Sequence, residues 1–139
     1  MPFVDNIGFL MSRASGQLVR ATNAALGSEG LRVRQYSVLS VVCESGGSSQ
    51  RELAAVLGLD PSQVVALVDD LDAAGLVERR PSPADRRTKV VVPTEAGIAA
   101  GERAAGRAAK ALEETLAPLT DEERATLRTL LARVTFATR

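Results

Sequence analysis

Histidine and tryptophan are missing from this 139-residue chain, and cysteine occurs once, at Cys43. Without histidine the chain lacks the commonest neutral-pH base, the imidazole zinc ligand and the usual charge switch near pH 7. A single thiol cannot form an internal disulfide or a multi-cysteine metal site, so no metal or cofactor is expected. Catalysis would need a nucleophile beside a base, or two carboxylates aimed at one point. The clustered acids Asp69, Asp70, Asp72, Glu113 and Glu114 instead fall on helix sides that read as solvent-facing, and an enzyme is not expected. No apolar run approaches the ~18 residues of a membrane helix, and the N-terminus lacks the basic start and apolar centre of a signal peptide. A cytoplasmic protein without a membrane partner is the expectation.

Net charge is absent too, with 17 basic residues against 17 acidic ones. Its distribution is uneven. Between Arg79 and Lys89 stand Arg79, Arg80, Arg86, Arg87 and Lys89 against a lone acid, Asp85. Such focused positive charge is what a nucleic-acid contact requires. With 45% hydrophobic and 24% charged residues, the chain has the apolar content to fold as one domain over residues 1–139.

Val4, Ile7, Met11, Ala14, Leu18, Ala21 and Ala25 recur at three-four spacing, which predicts a long helix built to pack on helices. Gly27 and Gly30 end it. A second helix, roughly Arg34 to Glu44, is apolar on most sides and predicted to be central. Ser49 with Glu52 three residues on has the spacing of a reciprocal helix cap, and Leu53, Ala54, Val56 and Leu57 read as the buried face that follows. After Gly58, Asp60-Pro61-Ser62-Gln63 restarts a helix that runs to Gly75. Two short helices around a glycine turn form a helix-turn-helix. Leu76 to Arg80 and Thr88 to Val92 then read as strands joined by a Pro-rich loop with arginines at its tip, a wing. Two terminal helices follow, split by Pro118. The predicted fold is mainly α with a β wing, ordered α-α-α-α-β-β-α-α. Residues 33–93 form the winged helix-turn-helix, flanked by helices at 1–30 and 94–139.

Across nearly the whole chain, and most specifically from Leu67 to Gly97, the sequence resembles the MarR family of bacterial regulators. The matching stretches are Leu67-Val68-Asp69-Asp70-Leu71-Asp72-Ala73-Ala74-Gly75-Leu76-Val77-Glu78-Arg79, Asp85-Arg86-Arg87-Thr88 and Thr94-Glu95-Ala96-Gly97. Pro93 departs from the leucine usual in that family. The resemblance implies a sequence-specific transcriptional regulator, usually a repressor, that binds double-stranded DNA as a homodimer paired through its first and last helices. Its recognition helices would enter successive major grooves of a palindromic operator, its wings the flanking minor grooves, and a small-molecule effector would often release it.

On that template Ser62, Gln63 and Ala66 meet base edges, with Gln63 pairing an adenine; the alternative for Ser62 and Gln63 is helix capping alone. Arg86 enters the minor groove, and Asp85 stiffens the loop around Arg87 by a salt bridge. Arg79, Arg80 and Lys89 contact phosphate, or else decorate a solvated hairpin. Ser49 and Arg51 begin the helix that crosses the backbone and hold phosphate through its N-terminus, or else only cap it. An effector pocket would lie near Leu10, Arg13, Gln17 and Tyr36. Two other readings remain: a redox regulator sensing oxidant at Cys43, and a winged helix that binds protein rather than DNA.

Overall fold

The computed structural model describes residues 1–137, so residues 138–139 of the expected pairing segment 94–139 lie outside the described residues. Helix α1 (Ile7–Leu26) starts later than the Val4 periodicity predicts. Phe3–Asp5 wind as a 3-10 turn, and the Asn6 Oδ1 accepts hydrogen bonds from the amides of Gly8 (2.9 Å) and Phe9 (3.3 Å), which fixes the first turn of the helix there. Helix α2 (Val33–Ser45) is tied back to α1 where it begins, the Val33 amide donating to Asn23 Oδ1 at 2.9 Å. As predicted it is the central helix: Val38, Leu39 and Val42 have no exposed surface.

Helices α3 (Gln50–Leu57) and α4 (Pro61–Ala73) form the helix-turn-helix. Gly58 joins them at φ +64°, a left-handed conformation that glycine adopts without the Cβ penalty, and the Leu59 amide donates to the Ala54 carbonyl at 3.1 Å. Leu53, Val64, Val68 and Leu71 are buried between the two helices and α2, but Val56 is 58% exposed and does not belong to the face predicted for it. The reciprocal cap predicted at Ser49 is half formed. Its Oγ accepts from the Glu52 amide at 3.0 Å, while among the described residues the Glu52 carboxylate makes no return bond.

The sheet has three antiparallel strands in the order β1-β3-β2, namely β1 (Ser48–Ser49), β2 (Val77–Pro81) and β3 (Lys89–Pro93). The two wing strands fall one residue later than predicted. Strand β1 was not predicted, because two serines carry no alternating pattern; they become a strand by pairing with Val91 and Val90 of β3. Pro93 ends β3 opposite Val77, and the next amide, that of Thr94, donates to the Leu76 carbonyl at 3.0 Å.

Helix α5 (Glu95–Thr115) packs along α1, bringing small residues to the contact, with Ala100, Ala104 and Ala111 buried. Glu29, at the corner after α1, receives Arg103 (2.9 Å) and Arg107 (3.3 Å) from α5, and chiefly the Arg103 hydrogen bond holds its carboxyl below the ordinary carboxylate range. Helix α6 (Asp121–Thr135) opens with a complete reciprocal cap: Thr120 Oγ1 accepts from the Glu123 amide and Glu123 Oε1 from the Thr120 amide. None of its residues is buried. Leu130, Leu131 and Val134 of α6 stand exposed, as do Ile7, Leu10 and Met11 of α1.

Where α5 leaves the wing, the first turn passes so close to Leu76 that a methyl group on Gly97 would overlap the Leu76 carbonyl. The obstacle is backbone, which cannot swing aside as a flexible side chain would. Gly97→Ala should lower the stability to chemical denaturation by ~1–3 kcal/mol, the range for overpacking. An unchanged denaturation midpoint would mean that the junction is looser than described.

Candidate nucleic-acid interface

The surface predicted to read DNA combines the start of α4, the α3 N-terminus and the β2–β3 hairpin. Ser62 and Ala66 are exposed on α4, one turn apart. Gln63 is half-buried and already engaged: its Oε1 accepts the Asp60 amide at 3.1 Å. Its Nε2 has no partner among the described residues. Ser49 caps α3 and Arg51 projects from the first turn, exposed.

The wing tip, residues 82–88, is organised by its own backbone. The Ser82 amide donates to the Thr88 carbonyl (2.7 Å) and the Thr88 amide to the Asp85 carbonyl (3.0 Å). Asp85 does stiffen this loop, but not by the expected salt bridge. Its Oδ1 accepts the Arg87 backbone amide at 3.0 Å, a turn-forming bond that leaves the Arg87 guanidinium unused. Arg86, Arg87 and Lys89 are exposed and have no ion pair among the described residues. Arg80 pairs with Glu78 at 3.0 Å, a solvent-exposed pair worth little that leaves its charge available.

Arg79 differs from the other wing cations. Its Nε donates to Gln50 Oε1 (3.0 Å) and its Nη2 to Asp69 Oδ1 (2.7 Å) and, at 3.5 Å, the Val65 carbonyl. Its Nη1 lies 3.6 Å from Asp72 Oδ2. Every nitrogen of its guanidinium thus faces an acceptor of the same chain, unlike those of the other wing cations. Asp70, next along α4, accepts from Gln35 Nε2 at 3.2 Å. Gln50, Asp69 and Asp72 as partners of Arg79 went unpredicted: contacts across three elements leave no local spacing signal.

The expected effector residues do not converge. A cleft of about 450 Å³ lies between α1, α2 and α5, with Leu18, Thr22, Val33, Tyr36, Ala108 and Leu112 in its walls. Of the four residues expected near an effector, Tyr36 lines this cleft. Leu10, Arg13 and Gln17 do not: at about 100° per residue they sit on the side of α1 away from Leu18 and Thr22. Cys43 is half-buried on α2, its Sγ 3.8 Å from the Gly97 carbonyl, and burial, with smaller contributions from Glu102 and Glu44, pushes its thiol pKa up. A raised pKa keeps the thiol protonated at neutral pH, the unreactive form.

Two outcomes check these placements. Gln63→Ala should cost ~1 kcal/mol of folding stability through the lost cap, whereas Gln63→Glu, which keeps the acceptor, should be near neutral in thermal melts. Mild peroxide should leave Cys43 unmodified by mass spectrometry; a sulfenylated Cys43 with altered DNA affinity would restore the redox reading.

Residues 29–88 match the family model described as MarR family. The chain is 35% identical over 107 residues to a transcriptional regulatory protein for the hcr operon of Thauera aromatica, an alignment covering 77% of this chain and 64% of that one. It is 30% identical to the multiple antibiotic resistance protein MarR of Salmonella typhimurium, over 92% of this chain and 90% of that protein. Among solved structures it superposes on CouR of Rhodococcus jostii RHA1 bound to p-coumaroyl-CoA, with TM-score 0.93, 42% identity and coverage of 100% and 98% of the two chains. It also superposes on a cysteine-to-serine mutant of MarR from E. coli complexed with operator DNA, with TM-score 0.85, 28% identity and coverage of 96% and 99%. This winged helix-turn-helix chain therefore belongs to the MarR family of DNA-binding transcriptional regulators.

Proposed function

We propose that the protein is a homodimeric repressor that binds a palindromic operator and is released by a small-molecule effector. The observation that carries the DNA-contact part is the pairing of an exposed α4 N-terminal face with a wing tip whose Arg86 and Arg87 have no acidic partner among the described residues. Arg86 enters the minor groove, and Arg80, Arg87, Lys89 and Arg51 contact phosphate. Ser62 and Ala66 meet base edges. With its cap intact Gln63 offers only Nε2 donors, which fit an acceptor such as guanine O6 or thymine O4. The adenine pairing expected from sequence needs both amide atoms and so requires the cap to open.

Dimerisation explains the apolar residues left uncovered at the start of α1 and along α6, since contiguous exposed apolar surface marks an interaction site. Two copies double the contact surface, and half-sites about 34–36 Å apart then follow from the helical repeat of DNA. The effector reading rests on the cleft between α1, α2 and α5, whose walls are apolar or hydroxylated, with Ser15, Thr22, Tyr36 and Ser37 supplying the polar atoms. It takes a ligand part that is uncharged. The p-coumaroyl-CoA bound by CouR, a protein of matching fold, supports a ligand at all. Binding protein in place of DNA is the weaker reading, since the unpaired arginines favour a polyanion.

Selection from a random duplex pool should enrich a two-fold symmetric sequence with that half-site spacing, and sedimentation should give a dimer. Arg86→Ala should then weaken binding to the selected duplex on the order of tenfold, the loss of one charged hydrogen bond worth about 1.5 kcal/mol, with the fold and dimer unchanged. A pool without sequence preference, or binding indifferent to rising salt, would defeat the regulator reading.

A further inference from the structure

The sequence marks Arg79 as one more cation on a basic hairpin, yet its guanidinium is turned inward to three elements at once. From β2 it reaches α3 through Gln50 Oε1 (3.0 Å) and α4 through Asp69 Oδ1 (2.7 Å), the Val65 carbonyl (3.5 Å) and Asp72 Oδ2 (3.6 Å). Its side chain is 27% exposed, much less than the 62% of its neighbour Arg80. We infer that Arg79 is a positioning residue that sets the angle between the wing and the recognition helix, and is not itself a DNA contact. This rests on the DNA-binding reading above.

The mechanical argument starts from how the wing is attached. Strand β2 leaves α4 through the turn at Gly75, and its far end is a free hairpin. From Val77 to Pro81 the strand rises about 13 Å, so a 10° swing at its root displaces the far end by about 2 Å, and Arg86 beyond it by more. A displacement of that size decides whether Arg86 reaches the minor groove while α4 sits in the major groove. The buried Val77 and Val91 hold the root of the two strands in the core, while beyond them β3 pairs with β2 and moves with it, and β1, on the other side of β3, contributes only two residues. Arg79 joins the middle of β2 directly to the two helices of the reading unit.

Arginine suits this task and lysine does not. The planar fork presents Nε toward α3 and both Nη atoms toward α4 in a fixed geometry, whereas an ammonium is a point donor on a flexible stem. Asp69, at 2.7 Å, also offsets the attraction of Arg79 for phosphate, since one carboxylate balances one guanidinium at this distance. With Asp72 at 3.6 Å the cluster keeps one net negative charge, so the residue that orients the wing neutralises one of the two acids on the reading helix.

The test uses the full-length protein and the duplex that wild type selects from a random pool, with Kd measured across a salt series and Tm recorded for every variant. The deciding variant is Asp69→Asn, compared with Asp70→Asn, which removes the same charge one residue along without touching Arg79. A positioning role predicts that Asp69→Asn binds several-fold more weakly than Asp70→Asn. A phosphate-contact role predicts tighter binding, because the substitution would free the arginine. Arg79→Gln should weaken binding about tenfold, and Arg79→Lys should not rescue it; rescue by lysine, which keeps the charge that a phosphate contact needs, would overturn the inference. In the Arg79→Gln background, Arg86→Ala should cost less than in wild type, since a misplaced wing has less contact to lose; simple additivity would count against positioning. If Arg79→Gln does not fold, the Asp69/Asp70 comparison decides alone. If wild type selects no sequence, the regulator reading falls and takes this inference with it.

Discussion

One backbone carbonyl, that of Leu76, anchors the join between the reading unit and the rest of the chain. The Leu76 amide closes the end of α4 on the Leu71 carbonyl at 2.9 Å, and its own carbonyl accepts Thr94, where the chain returns from the wing. The Thr94 hydroxyl donates to the Gly75 carbonyl at 2.6 Å and accepts the Gly97 amide at 3.0 Å, capping α5 in the same few ångströms. Four elements are held mostly by backbone groups, which cannot change rotamer. A glycine at position 97 is the condition for that closeness, because any side chain would meet the Leu76 backbone. The wing therefore has a fixed root, and its angle is left to side chains farther along β2.

The basic residues of the hairpin divide by whether their charge is already used. Arg79 commits its guanidinium to α3 and α4, while Arg86, Arg87 and Lys89 project from a loop shaped by backbone bonds and by the Asp85 carboxylate. This separation lets a chain with no net charge present a locally positive tip. Position in the fold, more than the count of arginines, determines which cations meet a partner.

The long helices carry the complementary asymmetry. Helix α5 offers alanines to α1, so the two backbones approach closely, while the larger apolar residues of α6 and the start of α1 stand exposed. The cleft lined by Tyr36 lies where these helices meet α2, the helix that also packs on α4. A ligand there would press on the same element that supports the recognition helix, which gives the proposed release a direct mechanical path.

Sequence alone determined the elements whose causes are local. The glycine stops at Gly58 and Gly75, the Ser49 cap, the apolar centre of α2 and the arginine-tipped loop could all be read from neighbours within a few residues. The family signature around Leu67 to Gly97 was equally legible, because it lies in one continuous stretch. Tertiary structure decided whatever depends on distant partners. It made a strand of Ser48–Ser49, left Val56 in solvent, set Leu10, Arg13 and Gln17 away from the cleft that Tyr36 lines, and turned Arg79 from the surface toward Gln50 and Asp69. The reason is one of range: a cap or a turn is satisfied by residues two to four positions away, whereas a guanidinium takes its partners from whichever elements the fold brings within about 3 Å.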